Sequence, residues 1–182
     1  MAQIGVSDLY YAILTKDDGT GVTYNTPVRI PGLISININP NSSSETLFAD
    51  NGPMETASAL GAIEVEINTA DLPLDVQATL LGHTLTSGVL LRKGNDTAPW
   101  VAIGFKALKS NGKYRWGWVV KGKFAAPNLE HETKQDSINY QTPTITGNFV
   151  RRENDGLWMR QTDEDLVGYT AATGTNWFTS VG

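Results

Sequence analysis

"PWVAIGFKALKSNGKYRWGWVVKGKF", residues 99–124, is the stretch that decides the fold. Asn111-Gly112 supplies the positive backbone angles of a tight reversal, and β-branched and aromatic residues flank it on both sides, so the stretch predicts an antiparallel hairpin. Two more segments alternate with period two, as half-buried strands do. In "LISININ" Ile34, Ile36 and Ile38 alternate with Ser35, Asn37 and Asn39; in "AIEVEIN" Ile63, Val65 and Ile67 alternate with Glu64, Glu66 and Asn68. "TPTITGNFVRR" puts Ile145, Gly147 and Phe149 on one face and Thr144, Thr146 and Asn148 on the other. "LYYAIL" and "PVRI" predict two further strands, separated by a turn-rich "TKDDGTGVTYNT". The expected fold class is mainly β, an antiparallel sandwich or barrel-like domain.

One helix is expected in this β chain, over about residues 72–82 of "TADLPLDVQATLLGHTL". Asp71 is placed to cap the first turn, Pro73 tolerates an early position, and Gly82 can close the C-terminus. Leu72, Val76, Leu80 and Leu81 form an apolar stripe for packing on a sheet. His83 follows the helix end, with no serine or metal-ligand set nearby in sequence, which favours a structural role over catalysis.

The 182 residues suit a single domain, 1–182. Charged residues are 18%, below the usual quarter or so, and 18 Gly and 8 Pro are spread along the chain, a turn-rich globular composition. No apolar run reaches transmembrane length, and "MAQIGVSDLYY" lacks the basic start and apolar run of a signal peptide, so no membrane partner and synthesis in a cytoplasm are expected. The absence of cysteine removes disulfides, thiolate metal sites and cysteine nucleophiles. With 19 acidic against 14 basic residues the net charge is -5, which argues against tight binding of nucleic acid.

Catalytic constellations are weak. Glu64 with Glu66, or the run Asp163, Glu164, Asp165, offers carboxylates without the spacing of an EF-hand, and no phosphate loop, HExxH or G-x-S-x-G is found. Such runs are usually solvated surface, and His131, in "NLEHETK", looks like part of an exposed linker. No cofactor, metal or catalytic residue is expected. Tyr114, Trp116 and Trp118 stand two apart on one strand face, a row that suits a sugar platform as in a carbohydrate-binding β-sandwich module. The competing expectation, which we favour, is that the row is buried under the helix or against a subunit, with Val120 and Phe124 continuing the face and Trp100 joining it.

Together, "LYYA", "GVTYNTP", "ISININPNSSSETLFADNGPMETA", "GAIEVEINTADLPLDVQATLLGH", "APWVAIGFKALKSNGKYRWGWVVKGKF" and "YQTPTITGNFVRR" resemble the major tail protein of long-tailed, non-contractile phages and prophages, over about Leu9 to Phe178. The C-terminal "YTAATGTNWFTSVG" carries less of the likeness. The resemblance implies a β-sandwich-like domain with a flanking helix, forming hexameric rings that stack into a tail tube; the type VI secretion tube protein shares that architecture. It further implies a virion protein assembled in the host cytoplasm. Its partners would be its own copies, the tape measure and the tail terminator, with DNA passing through and not held.

On that resemblance two regions gain expected roles. The segment 39–58 is long and polar between two good strands, and is expected to be a loop or arm that contacts the next ring or subunit, with Leu47, Phe48 and Met54 as anchors and Asp50-Asn51-Gly52 as its turn. Glu64 and Glu66, facing away from Ile63, Val65 and Ile67, are expected in the channel. Six copies at -5 each give -30 per ring, and an acidic wall repels phosphate.

Overall fold

The structure, a computed structural model, describes residues 1–49, 52–128 and 141–182. The chain runs through β1 (Gln3–Asp18), β2 (Gly21–Tyr24), β3 (Val28–Ile30), β4 (Leu33–Ala49), β5 (Gly52–Thr69), α1 (Leu74–Leu81), β6 (Thr84–Thr86), β7 (Val89–Leu91), β8 (Val101–Lys109), β9 (Tyr114–Phe124), β10 (Thr144–Phe149), β11 (Met159–Asp163) and α2 (Ala171–Thr175). Nine strands form one antiparallel sheet along the path β2-β1-β8-β9-β10-β5-β4, with β3 beside β2 on β1 and β11 beside β10 on β9. β1 and β4 come back into contact across the ends of that path, so the sheet curls toward a barrel. The fold is therefore mainly antiparallel β with a flanking helix; the short α2 is an addition to the single helix expected.

The residues 99–124 hairpin is β8–β9, and Gly112 adopts φ +78° at its turn. Inside the curl lies the main core. Ile63, Val65 and Ile67 are buried there with Val101, Ile103, Val119, Ile145 and Phe149; α1 adds Val76, Leu80 and Leu81, and Leu72, just ahead of the helix, joins them. Burying each such side chain contributes about 1.5–3 kcal/mol, which is what holds so short a helix on the sheet. Gly122 leaves room for Phe149: a Cβ there would lie 2.3 Å from the ring.

Several local expectations are corrected. The helix begins at Leu74 with Pro73 as its N-cap and no side-chain cap, so Asp71 lies too far upstream to serve. Gln77 fixes the entry of the chain by a different contact, its Nε2 donating to the Leu72 carbonyl at 2.7 Å. Gly82 does close the helix, in the left-handed region at φ +72°, and a Cβ on it would sit 2.1 Å from the Thr97 carbonyl oxygen. Ile34 is exposed, because a register shift between Leu33 and Ser35 removes it from the alternation and turns Leu33 inward. β1 continues through Asp18 and β2 takes Gly21–Tyr24, so that of the expected turn-rich stretch only Gly19, Thr20, Asn25 and Thr26 stay outside strands; Asp18 Oδ1 accepts the Thr20 N–H at 2.8 Å and fixes the reversal.

The segment 39–58 is a ladder and not a loop. β4 and β5 pair from Ser42 and Leu60 out to Ala49 and Gly52, beyond a bulge at Pro40–Ser42. Residues 39–45 and 58–62 are all exposed. A hairpin wet on both faces has no hydrophobic period to read, while its backbone hydrogen bonds need none.

Candidate functional site

Among the described residues no element packs over the outer face of β4, β5 and β10. Glu64 sits opposite Asn39 and Asn148, and Glu66 opposite Asn37 and Thr146, and both glutamates are exposed. Asn68 Nδ2 donates to Thr144 Oγ1 at 2.8 Å, which ties the same face together with neutral polar groups. The buried partners Ile63 and Val65, fully inaccessible on the reverse side, leave the carboxylates no route inward. Toward β9 the face turns basic. Lys123 is in register with Asn148, and Lys121 and Lys123 lie 5.2 and 4.7 Å from the centroid of Trp100. Lys121 is also paired with Asp17 at 2.6 Å. Burial alone would raise the Asp17 carboxyl, but the Glu153 amide, Lys121 and the Asn154 amide outweigh it and hold it below the ordinary carboxylate value.

The aromatic row is closed. Trp118 is 0% exposed and Trp116 5%, while Tyr114 is half-buried. Their cover is the C-terminal segment and not α1: Trp177, Val181, Tyr169 and Phe178 pack on the row, and Trp118 Nε1 donates to the Trp177 carbonyl at 3.0 Å. Trp116 stacks on Tyr169 with centroids 5.5 Å apart, and Gly174 lets α2 approach that pair. Val120 continues the row, but Phe124 belongs to the opposite face, because the β8–β9 register shifts between Val101 and Ile103. Trp100, 38% exposed, stays outside the cluster.

The other sequence candidates resolve into ties between elements. His83 Nδ1 lies 2.7 Å from Asp96 Oδ2, which also accepts the Lys93 N–H, so the ring anchors the end of α1 to the 93–96 turn. The amide of Lys93, then His83, holds the Asp96 carboxyl below its ordinary value. Asp163 and Asp165 are not idle surface. The buried Lys109 ammonium donates to both, Arg115 clasps Asp163 at 2.8 Å, and Lys113 pairs with Asp165 at 2.7 Å. Burial pushes Asp163 up, yet hydrogen bonds from Lys109, the Asp165 amide and Arg115 more than offset it, and Lys109, Lys113 and Asn111 hold Asp165 far below the carboxylate range. The same contacts raise Lys109 against the opposing effect of burial. Among the described residues, no three His, Asp or Glu side chains are grouped to hold a metal ion.

Asp50, Asn51 and His131 lie outside the described residues, and of the expected arm anchors Leu47, Phe48 and Met54 only the backbone is described, within β4 and β5. One signal passed over in the sequence is the sorting of charge: every charged side chain between Arg29 and Arg92 is a carboxylate. That run supplies the whole of β4, β5 and α1, and with them the uncovered face. Compared with known proteins, the chain matches no family model and no curated protein.

Proposed function

We propose that this protein is a structural virion component, the protomer of hexameric rings that stack into the tube of a non-contractile phage tail, with the tape measure and tail terminator as its other partners. The observation that carries this is the division of one sheet: its inner face is a packed core, while its outer face at β4–β5–β10 is polar, carries the exposed Glu64 and Glu66, and has no element packed over it among the described residues. A wall of that kind suits a conduit, since carboxylates repel the phosphate backbone and hydrated amides give it little to grip. The β4–β5 arm, whose residues 39–45 and 58–62 contribute nothing to the protein's own core, supports assembly through contacts between copies. The row Tyr114, Trp116 and Trp118 lends the sugar-binding reading no support, because Trp116 and Trp118 are covered.

Negative-stain imaging of the concentrated protein tests the proposal. Rings or tubes of uniform width are expected. Isolated small particles at every concentration and ionic strength, binding glycans or not, would overturn it.

A further inference from the structure

Two features of this molecule are incomplete within a single chain. The first is the ribbon β6–β7, three residue pairs joined through Ser87 and Gly88, which belongs to no larger sheet. Every residue of it except Leu90 is exposed, including Leu85, Val89 and Leu91 at 43%, 57% and 44%, and Leu74 on the adjoining helix is 50% exposed. A two-stranded ribbon of this size is at best marginal alone in water. Its chain runs directly into two cations, Arg92, whose Nη2 donates to Gln77, and the exposed Lys93. The second feature is the arm, where β4 and β5 beyond Ile63 pair with each other and, among the described residues, with no further strand, which leaves the N–H and C=O groups of their outer edges open. Its charges are all negative, Glu45, Asp50 and Glu55, and its sequence includes Leu47, Phe48 and Met54.

We infer that the β6–β7 ribbon is the socket for the arm of a second copy of this chain. Each side supplies what the other lacks. The arm brings open strand edges, apolar residues and carboxylates; the ribbon brings open edges, three exposed aliphatic side chains and a cationic end. Edge-to-edge pairing between them would satisfy backbone groups in both, and apolar contact would supply the affinity. Residues 39–45 and 58–62 of the arm, and the whole ribbon except Leu90, are exposed within the monomer. In the proposed tube the arm-in-socket contact is heterologous: each copy uses its arm on one neighbour and its socket on another, and this builds rings or filaments, whereas mutual exchange between two copies would stop at a dimer. This deepens the tube proposal and rests on it.

The absence of cysteine makes a direct test clean. Ser43→Cys in the arm combined with Thr86→Cys in the ribbon, both at exposed positions, should give on oxidation a ladder of covalent trimers and larger species. Pairing Ser43→Cys with Thr20→Cys, on the distant β1–β2 turn, should not. Lys93→Glu should raise the concentration needed for assembly by roughly tenfold, and adding Glu45→Lys should restore it. If the wild-type protein forms tubes but the Ser43/Thr86 variant yields no ladder, or the Thr20 control yields an equal one, the socket is wrong while the tube proposal stands. Assembly of Lys93→Glu at the wild-type concentration also overturns the socket. A wild-type protein that never assembles removes both.

Discussion

Trp118 shows how one residue couples the sheet to the C-terminal segment, since its ring is fully buried and its indole N–H is spent on the Trp177 carbonyl. Trp118→Ala and Trp116→Ala are each expected to cost about 3–5 kcal/mol in chemical denaturation, with loss of blue-shifted emission. If both variants stayed within about 1 kcal/mol of wild type and oligosaccharides quenched the native fluorescence, an open platform would replace the buried row. Lys109 is the second such residue, fastening the β8–β9 turn to Asp163 and Asp165 at the end of β11. The two carboxyls titrate lower in the fold than in the unfolded chain, so their stabilisation is complete above about pH 4 and drains away as pH falls through the depressed values. Lys109 is raised, so its share is complete below about pH 10 and is lost only as pH climbs past its folded value. A melting temperature followed from pH 7 to pH 2 should therefore fall at the acid end, and Asp163→Asn should flatten that fall while lowering the plateau. An unchanged acid limb in that variant would remove the linkage.

At the scale of elements, the helix and the arm obey opposite rules. α1 is eight residues long and would not persist in water alone; the burial of Val76, Leu80 and Leu81 in the core keeps it in place. Its apolar stripe was legible because its partner is apolar and the period is 3.6. Residues 39–45 and 58–62 of the arm bury nothing comparable, and the ladder there carries no period because both of its faces are wet. Shortening it between Asn41 and Ala62, where Asn41 Nδ2 donates to the Ala62 carbonyl at 3.1 Å, should leave a soluble domain with the wild-type melting curve. That domain should no longer polymerise. Full-length tubes from the shortened chain, seen by negative stain, would mean that the arm has no part in assembly.

For the whole molecule the deciding feature is the two-sidedness of β5. Replacing Glu64 and Glu66 by Lys changes no buried contact, since both are exposed, so folding and tube formation should stay near wild type. In the proposed ring the change turns a repelling wall into an attracting one. Tubes of the variant should retain DNA in a salt-sensitive way and infectious yield should drop, whereas unaltered DNA delivery would move the lumen to another strand.

Much of this was fixed by local chemistry. The β8–β9 hairpin follows from Asn111-Gly112 between β-formers, the Glu64/Glu66 face from strict alternation with Ile63, Val65 and Ile67, and the helix end from Gly82, since a turn, a strand face and a cap each depend on residues a few positions apart. What covers the tryptophan row, where Phe124 points, why Ile34 is outside and which cations meet Asp163 depended on register shifts and on contacts across 48 to 59 positions. A bulge reverses every side chain beyond it, and the C-terminal segment Tyr169–Gly182, with little period of its own, finds its place only when the sheet it covers already exists. Tertiary structure alone decided those, because their free energy comes from surfaces that no short window of sequence contains.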